Sequence, residues 1–182
     1  LGVTKGALYR HFRSKQDIFE RLLDRMVAVD AERAMRDELS ILFLEKDADS
    51  YEDITVDSFC DFVMSQFDFW TTNEFAVAFR RMATLEQFKN PKMMSLYQDI
   101  ICEGPIRYST EIFREMLMDG RFNMDAAEIG PNVLATMIFA PLKLSIEMTD
   151  GGSDRMTLRE NLMQITEEFK RRWTAYSVVI DE

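Results

Sequence analysis

Apolar residues recur at i, i+3 and i+4 along most of the 182-residue chain, while alternating apolar and polar runs of strand type are scarce. The pattern predicts an all-α protein. "TKGALYRHF" gives a short helix over residues 4–12, which Thr4 can cap by accepting a first-turn backbone N–H. Ser14 opens a second helix at "SKQD", with Asp17 three positions on as in a capping box, and this helix is expected to run to about residue 44. The polar stretch "EKDADSYED" breaks the pattern. Helices are expected next over 52–71 and 74–85. Asn90-Pro91 starts another, because Asn caps and Pro at the first helical position gives up an N–H with no intrahelical partner. That helix meets an interruption at Gly104-Pro105, resumes to Met118 and stops at Gly120. A further helix is expected over 125–148, disturbed at Gly130-Pro131 and Pro141, and a last one over 154–176 after the turn "TDGGSD".

Two stripes mark the C-terminal helices. Leu158, Leu162, Ile165, Phe169 and Trp173 recur at helical spacing, as do Val133, Met137, Ala140 and Leu144. One reading is ordinary core; the other is packing against a second copy as a four-helix bundle, with these two sets as the dimer interface. The middle helices crowd Phe67, Trp70, Phe75, Phe79, Met82, Phe88, Met94, Tyr97 and Phe113 together. With 13 Met and 14 Phe in the chain, that region suits an adaptable apolar pocket, and core packing explains it equally. Arg80, Arg81, Glu86, Glu103 and Arg107 are its polar candidates, most of them expected on solvated faces. Glu103, Arg107 and Glu111, four apart, read as a surface ladder.

Charge changes the picture at one end only. The net charge is −10, which taken whole argues against nucleic acid. Residues 1–21, however, carry five basic side chains against Asp17 and Glu20, or +3, leaving −13 for the remainder. Cys60 and Cys102 stand in no metal or redox spacing, which favours reduced thiols and a cytoplasmic protein. No apolar run approaches the roughly 20 residues of a membrane span. No nucleophile elbow, phosphate loop or metal-ligand spacing accompanies the lone His11, so neither an enzyme nor a cofactor or metal is expected.

The basic end has the form of half a helix-turn-helix. Leu1-Gly2-Val3 reads as a tight turn before the Thr-capped helix. Leu8 and Phe12 share a face that can pin that helix to a scaffold, and Lys5 and Tyr9 share another. Gly6 lets the helix N-terminus approach a groove or phosphate, and Lys15 begins the next helix where a second phosphate fits. A surface hairpin without nucleic acid is the plainer alternative. "GVTKGALYRHFRSKQDIFERLL" closely resembles the signature of TetR-family transcriptional regulators. The resemblance implies an all-α homodimer with a three-helix DNA-binding head, a long fourth helix and a ligand-binding, dimerising body. It further implies repression of a palindromic operator on double-stranded DNA, released by a small hydrophobic effector.

Carried over by position, Thr4, Tyr9, His11 and Lys15 would touch phosphates, with Lys5 and Gly6 nearest the bases. The expected division is 1–45 for the end of the head and its linker helix, and 46–182 for the body. The effector candidates are Phe67, Trp70, Phe79, Met82, Met94, Tyr97, Arg107 and Phe113. The family head needs helices before Leu1, so the sequence is expected to be N-terminally incomplete. A helical protein–protein adaptor without DNA binding is the alternative function.

Overall fold

The computed structural model describes residues 5–34 and 54–175, and the chain divides into two compact units, Leu1–Leu44 and Glu45–Glu182. The fold is all-α. In the first unit α1 spans Lys5–His11 and α2 spans Lys15–Ala34. Thr4, the expected cap of α1, and the expected continuation of α2 to residue 44 lie outside the described residues.

The second unit begins with α3 (Val56–Thr72) and α4 (Glu74–Glu86). Thr55 and Ser58 close a reciprocal capping box on α3: Thr55 Oγ1 accepts the Ser58 N–H at 3.0 Å and Ser58 Oγ accepts the Thr55 N–H at 2.9 Å. Asn73 caps α4 through the Ala76 N–H at 2.9 Å. The Asn90-Pro91 signal opens α5 (Pro91–Tyr97), with Asn90 Oδ1 accepting the Lys92 N–H. A π turn (Gln98–Cys102) and then α6 (Glu103–Met118) follow without a loop. At the end of α6, Gly120 at φ 69° lets the Arg121 N–H reach the Met116 carbonyl and its own N–H reach that of Leu117, a Schellman closure.

The helix expected over 125–148 is two helices, α7 (Met124–Ile129) and α8 (Pro131–Asp150), because Gly130 at φ 86° takes the chain out of helical geometry just before a proline. Pro141 lies inside α8 without ending it. The last helix is α9 (Arg155–Trp173), capped by Asp154 through the Thr157 N–H. Among the described residues there is no strand, only an isolated bridge between Phe122 and Thr174, and no helix is long and apolar enough to cross a membrane.

Phe113 of α6 is the centre of the core. Its ring lies 4.5 Å from Phe59 of α3, 5.1 Å from Phe122 and 6.1 Å from Phe169 of α9, centroid to centroid. Leu134, Ile138, Leu142 and Ile146 form the buried stripe of α8. Arg80, one of the five polar candidates of which most are expected on solvated faces, is 1% exposed. It shares the buried side of α4 with Ala76 and Ala83, and its guanidinium grips both oxygens of Asp150 at the end of α8. Arg81 reaches the same carboxylate from the surface at 2.7 Å.

The π turn resolves a conflict of phase. Met93 and Ile112 are both buried and 19 residues apart, as are Tyr97 and Met116. At 3.6 residues per turn, 19 residues make about 5.3 turns, so an unbroken α-helix would leave α5's buried face about 100° away from that of α6. One residue fewer restores about five whole turns. In the π turn the Glu103 N–H reaches back to the Gln98 carbonyl, five residues away, which absorbs the surplus residue.

Removing Ile100 should therefore straighten the run into a continuous α-helix with Met93 and Tyr97 still in the core, at a change of about 1 kcal/mol or less, whereas inserting an alanine there should cost about 3 kcal/mol by rotating them out. Denaturant unfolding measures this. Asp150→Ala should cost about 3 kcal/mol by stranding a buried guanidinium, against about 1 kcal/mol or less for the exposed Arg81→Ala. Burial alone would raise the Asp150 pKa, but hydrogen bonds from Arg80 and Arg81 outweigh it and hold the carboxyl below its ordinary 3.8. Its contribution is complete above that value and disappears as pH falls through the lower folded-state pKa. Asp150→Asn should flatten this acid limb of stability against pH.

Candidate functional site

Short helical pieces persist where their ends are satisfied, and the junction between α1 and α2 is closed on both sides. Ser14 Oγ accepts the Asp17 N–H at 3.1 Å, and Asp17 Oδ2 accepts the Arg13 N–H at 2.8 Å. The Arg13 N–H, aided by the Arg21 side chain, holds the Asp17 pKa below its ordinary value despite the opposing effect of burial. Arg21 in turn lies 5.4 Å from the Phe12 ring centroid, and the Lys15 ammonium 5.2 Å from that of Phe19. Phe19 and Met26 are buried and Phe12 half-buried. These contacts fix the direction in which α1 leaves α2.

The junction also presents a run of polar side chains to solvent. Tyr9, Arg10, His11, Arg13 and Lys15 are all exposed, over seven positions of chain. Gly6 is exposed too, and a Cβ there would meet nothing within 4 Å. This unit therefore does not itself require glycine at that position. A bare backbone at the start of a basic helix is what close approach to a phosphate or base edge uses. Lys5 opens α1, and Thr4 lies outside the described residues. Of the six residues expected at DNA, the structure thus puts Gly6, Tyr9, His11 and Lys15 on exposed positions of one hairpin.

The eight effector candidates do not form one lining. Phe113 and Phe67 are fully buried, Phe113 as the centre of the aromatic cluster, so both are core. Arg107 is on the surface, two-thirds exposed, where it pairs with Asp99 at 3.3 Å instead of completing the expected ladder with Glu103 and Glu111; Glu111 pairs with Arg114. Phe79 is buried beside Phe75, and Trp70, Met82 and Met94 are half-buried. Tyr97 is buried, and its hydroxyl accepts a hydrogen bond from Lys143 of α8 at 2.8 Å.

The two stripes of the expected dimer interface part company. Val133, Met137, Ala140 and Leu144 all face outward on α8, with Leu144 61% exposed, and Met148 extends the row by another turn. On α9, Leu158, Leu162 and Phe169 are instead buried in the chain's own core, which corrects their assignment; Ile165 alone of that set is exposed. Periodicity identifies a helix face but not the neighbour it meets. The outward apolar residues of α9 are Met156, Met163 and Ile165. A groove of about 420 Å³ runs between the two helices, lined by Met137, Gln164, Ile165, Phe169 and Trp173 among others and by none of the effector candidates.

The model of a family described as bacterial regulatory proteins, tetR family, matches residues 1–22. No curated protein and no solved structure matches the chain. The matched segment contains the whole of α1, the capped junction and the first two turns of α2, so the match and the exposed basic hairpin coincide. On this N-terminal segment the chain is similar to the tetR family of bacterial regulatory proteins.

Proposed function

We propose that this protein is a DNA-binding transcriptional regulator, a cytoplasmic homodimeric repressor released from a palindromic operator by a small hydrophobic effector held in residues 46–182. The observation that carries the reading is the exposed hairpin of Gly6, Tyr9, His11 and Lys15 within the matched segment. The N-terminal end of α1 offers backbone N–H groups to a phosphate, and Lys5 and Gly6 stand nearest the bases. Lys15, the first residue of the following helix, neutralises a second phosphate. The outward row from Val133 to Met148 supports dimerisation, because an unbroken apolar stripe on a long helix is what a self-complementary contact covers. Half-buried Trp70, Met82 and Met94 remain the apolar candidates for the effector.

In a fluorescence anisotropy titration of the native full-length protein with DNA from its own upstream region, Lys15→Ala should weaken binding to every sequence. It should also lower the salt slope by about one. Lys5→Ala should change the order of preference among operator variants instead. A full-length protein that binds none of that DNA at low salt overturns the reading in favour of a protein–protein adaptor. In sedimentation analysis, Leu144→Asp should convert dimer to monomer with the helical content unchanged, since this side chain is no part of the protomer core.

A further inference from the structure

α5 and the π turn are held differently from the rest of the body. Among the described side chains of Pro91–Cys102 only Met93 and Tyr97 are buried, and the π turn buries none. The segment is joined to α6 where helical continuity is weakest. Pro105 has no N–H to give to a preceding carbonyl, and Cys102 departs from helical angles at φ −121° and ψ −86°. A Cβ on Gly104 would run into the Asp99 carbonyl, so the chain folds back on itself too tightly there for any side chain. The Arg107–Asp99 pair across this joint is solvent-exposed on both sides, where an ion pair adds little.

A polar contact ties the segment to the α8 scaffold. The Lys143 ammonium donates to the Tyr97 hydroxyl at 2.8 Å and to Glu147, one turn along α8. Burial would lower the Lys143 pKa, but these two acceptors outweigh it and raise it, so the amine stays charged. Glu147 lies 3.9 Å from Arg80, which grips Asp150. The tie thus runs from α5 through α8 into the buried ion pair of α4. A segment with few buried side chains and a weakened joint belongs to the low-stability end of a fold.

We infer that Pro91–Cys102 is a latched lever, opening as a unit about the Cys102–Pro105 joint when the Tyr97–Lys143 contact breaks. Opening withdraws Met93 and Tyr97 from the core and exposes the sides of α4 and α8 that they cover. The inference deepens the effector reading by naming the part of the body that moves, and its test uses no effector, so either can fail without the other.

The test is hydrogen exchange, followed by mass spectrometry, on the full-length protein and two variants. Tyr97→Phe removes the hydroxyl and keeps the ring in the core; Lys143→Met removes the ammonium and keeps the stem. Each should speed exchange across residues 92–103 about tenfold while residues 131–150 and 155–173 keep their rates. The double variant should exchange no faster than either single one, because the two changes break the same contact. Unchanged rates over 92–103 in Tyr97→Phe overturn the latch. Acceleration spread evenly over 56–173 in that variant overturns the lever, since the contact would then stabilise the body as a whole.

Discussion

A single helical run from Pro91 to Met118 has to meet one core at both ends, and its sequence places the two buried faces a non-integral number of turns apart. Core packing is the stronger demand, because Phe113, Ile112 and Met116 are fixed among rings from α3 and α9. The backbone yields instead, at the one place where a glycine and a proline already weaken α-helical bonding. Much else in the body follows from that concession. The π turn brings Tyr97 over Lys143, Lys143 engages Glu147, and the neighbouring end of α8 supplies the carboxylate that makes a buried Arg80 tolerable. Packing, charge burial and the weak joint are three views of the same phase correction.

The two units divide their roles by charge as well as by contact. The basic hairpin is closed by local bonds among Ser14, Asp17, Arg13 and Arg21, within about ten residues. The body depends on distant ones, such as Arg80 with Asp150 and Asp68 with both Arg155 and Arg159. Short-range bonding suits a surface that meets another molecule with its own side chains exposed. Long-range pairing suits a unit whose helices must keep register around a shared interior.

What was legible in the sequence followed the range of the interaction. The Asn90-Pro91 start, the Ser14 cap and the Gly120 stop are chemistry between near neighbours, and the helix ends lie where that chemistry puts them. Gly130-Pro131 was visible as a disturbance, but whether it bends or divides a helix depends on the φ the glycine takes. The Leu158, Leu162 and Phe169 stripe gave the face but left its neighbour open between the chain's own core and a second copy, since spacing holds no information on what a face meets; the structure puts it in the core. Arg80 carried a signal that charge obscured: it is four residues after Ala76 and three before Ala83, on their apolar side. Its partner, 70 residues away, has no mark in the local sequence.

The two thiols differ in a way that bears on handling the molecule. Cys60 is sealed between α3 and α9 with its Sγ 3.8 Å from the Thr166 carbonyl, and burial pushes its pKa up to about 12. At neutral pH roughly one molecule in 100,000 would present it as thiolate, too few for alkylation to compete with any accessible sulfur. Cys102 is half-buried at the end of the π turn. Of these two sulfurs, a maleimide dye would accordingly settle on Cys102, beside the joint.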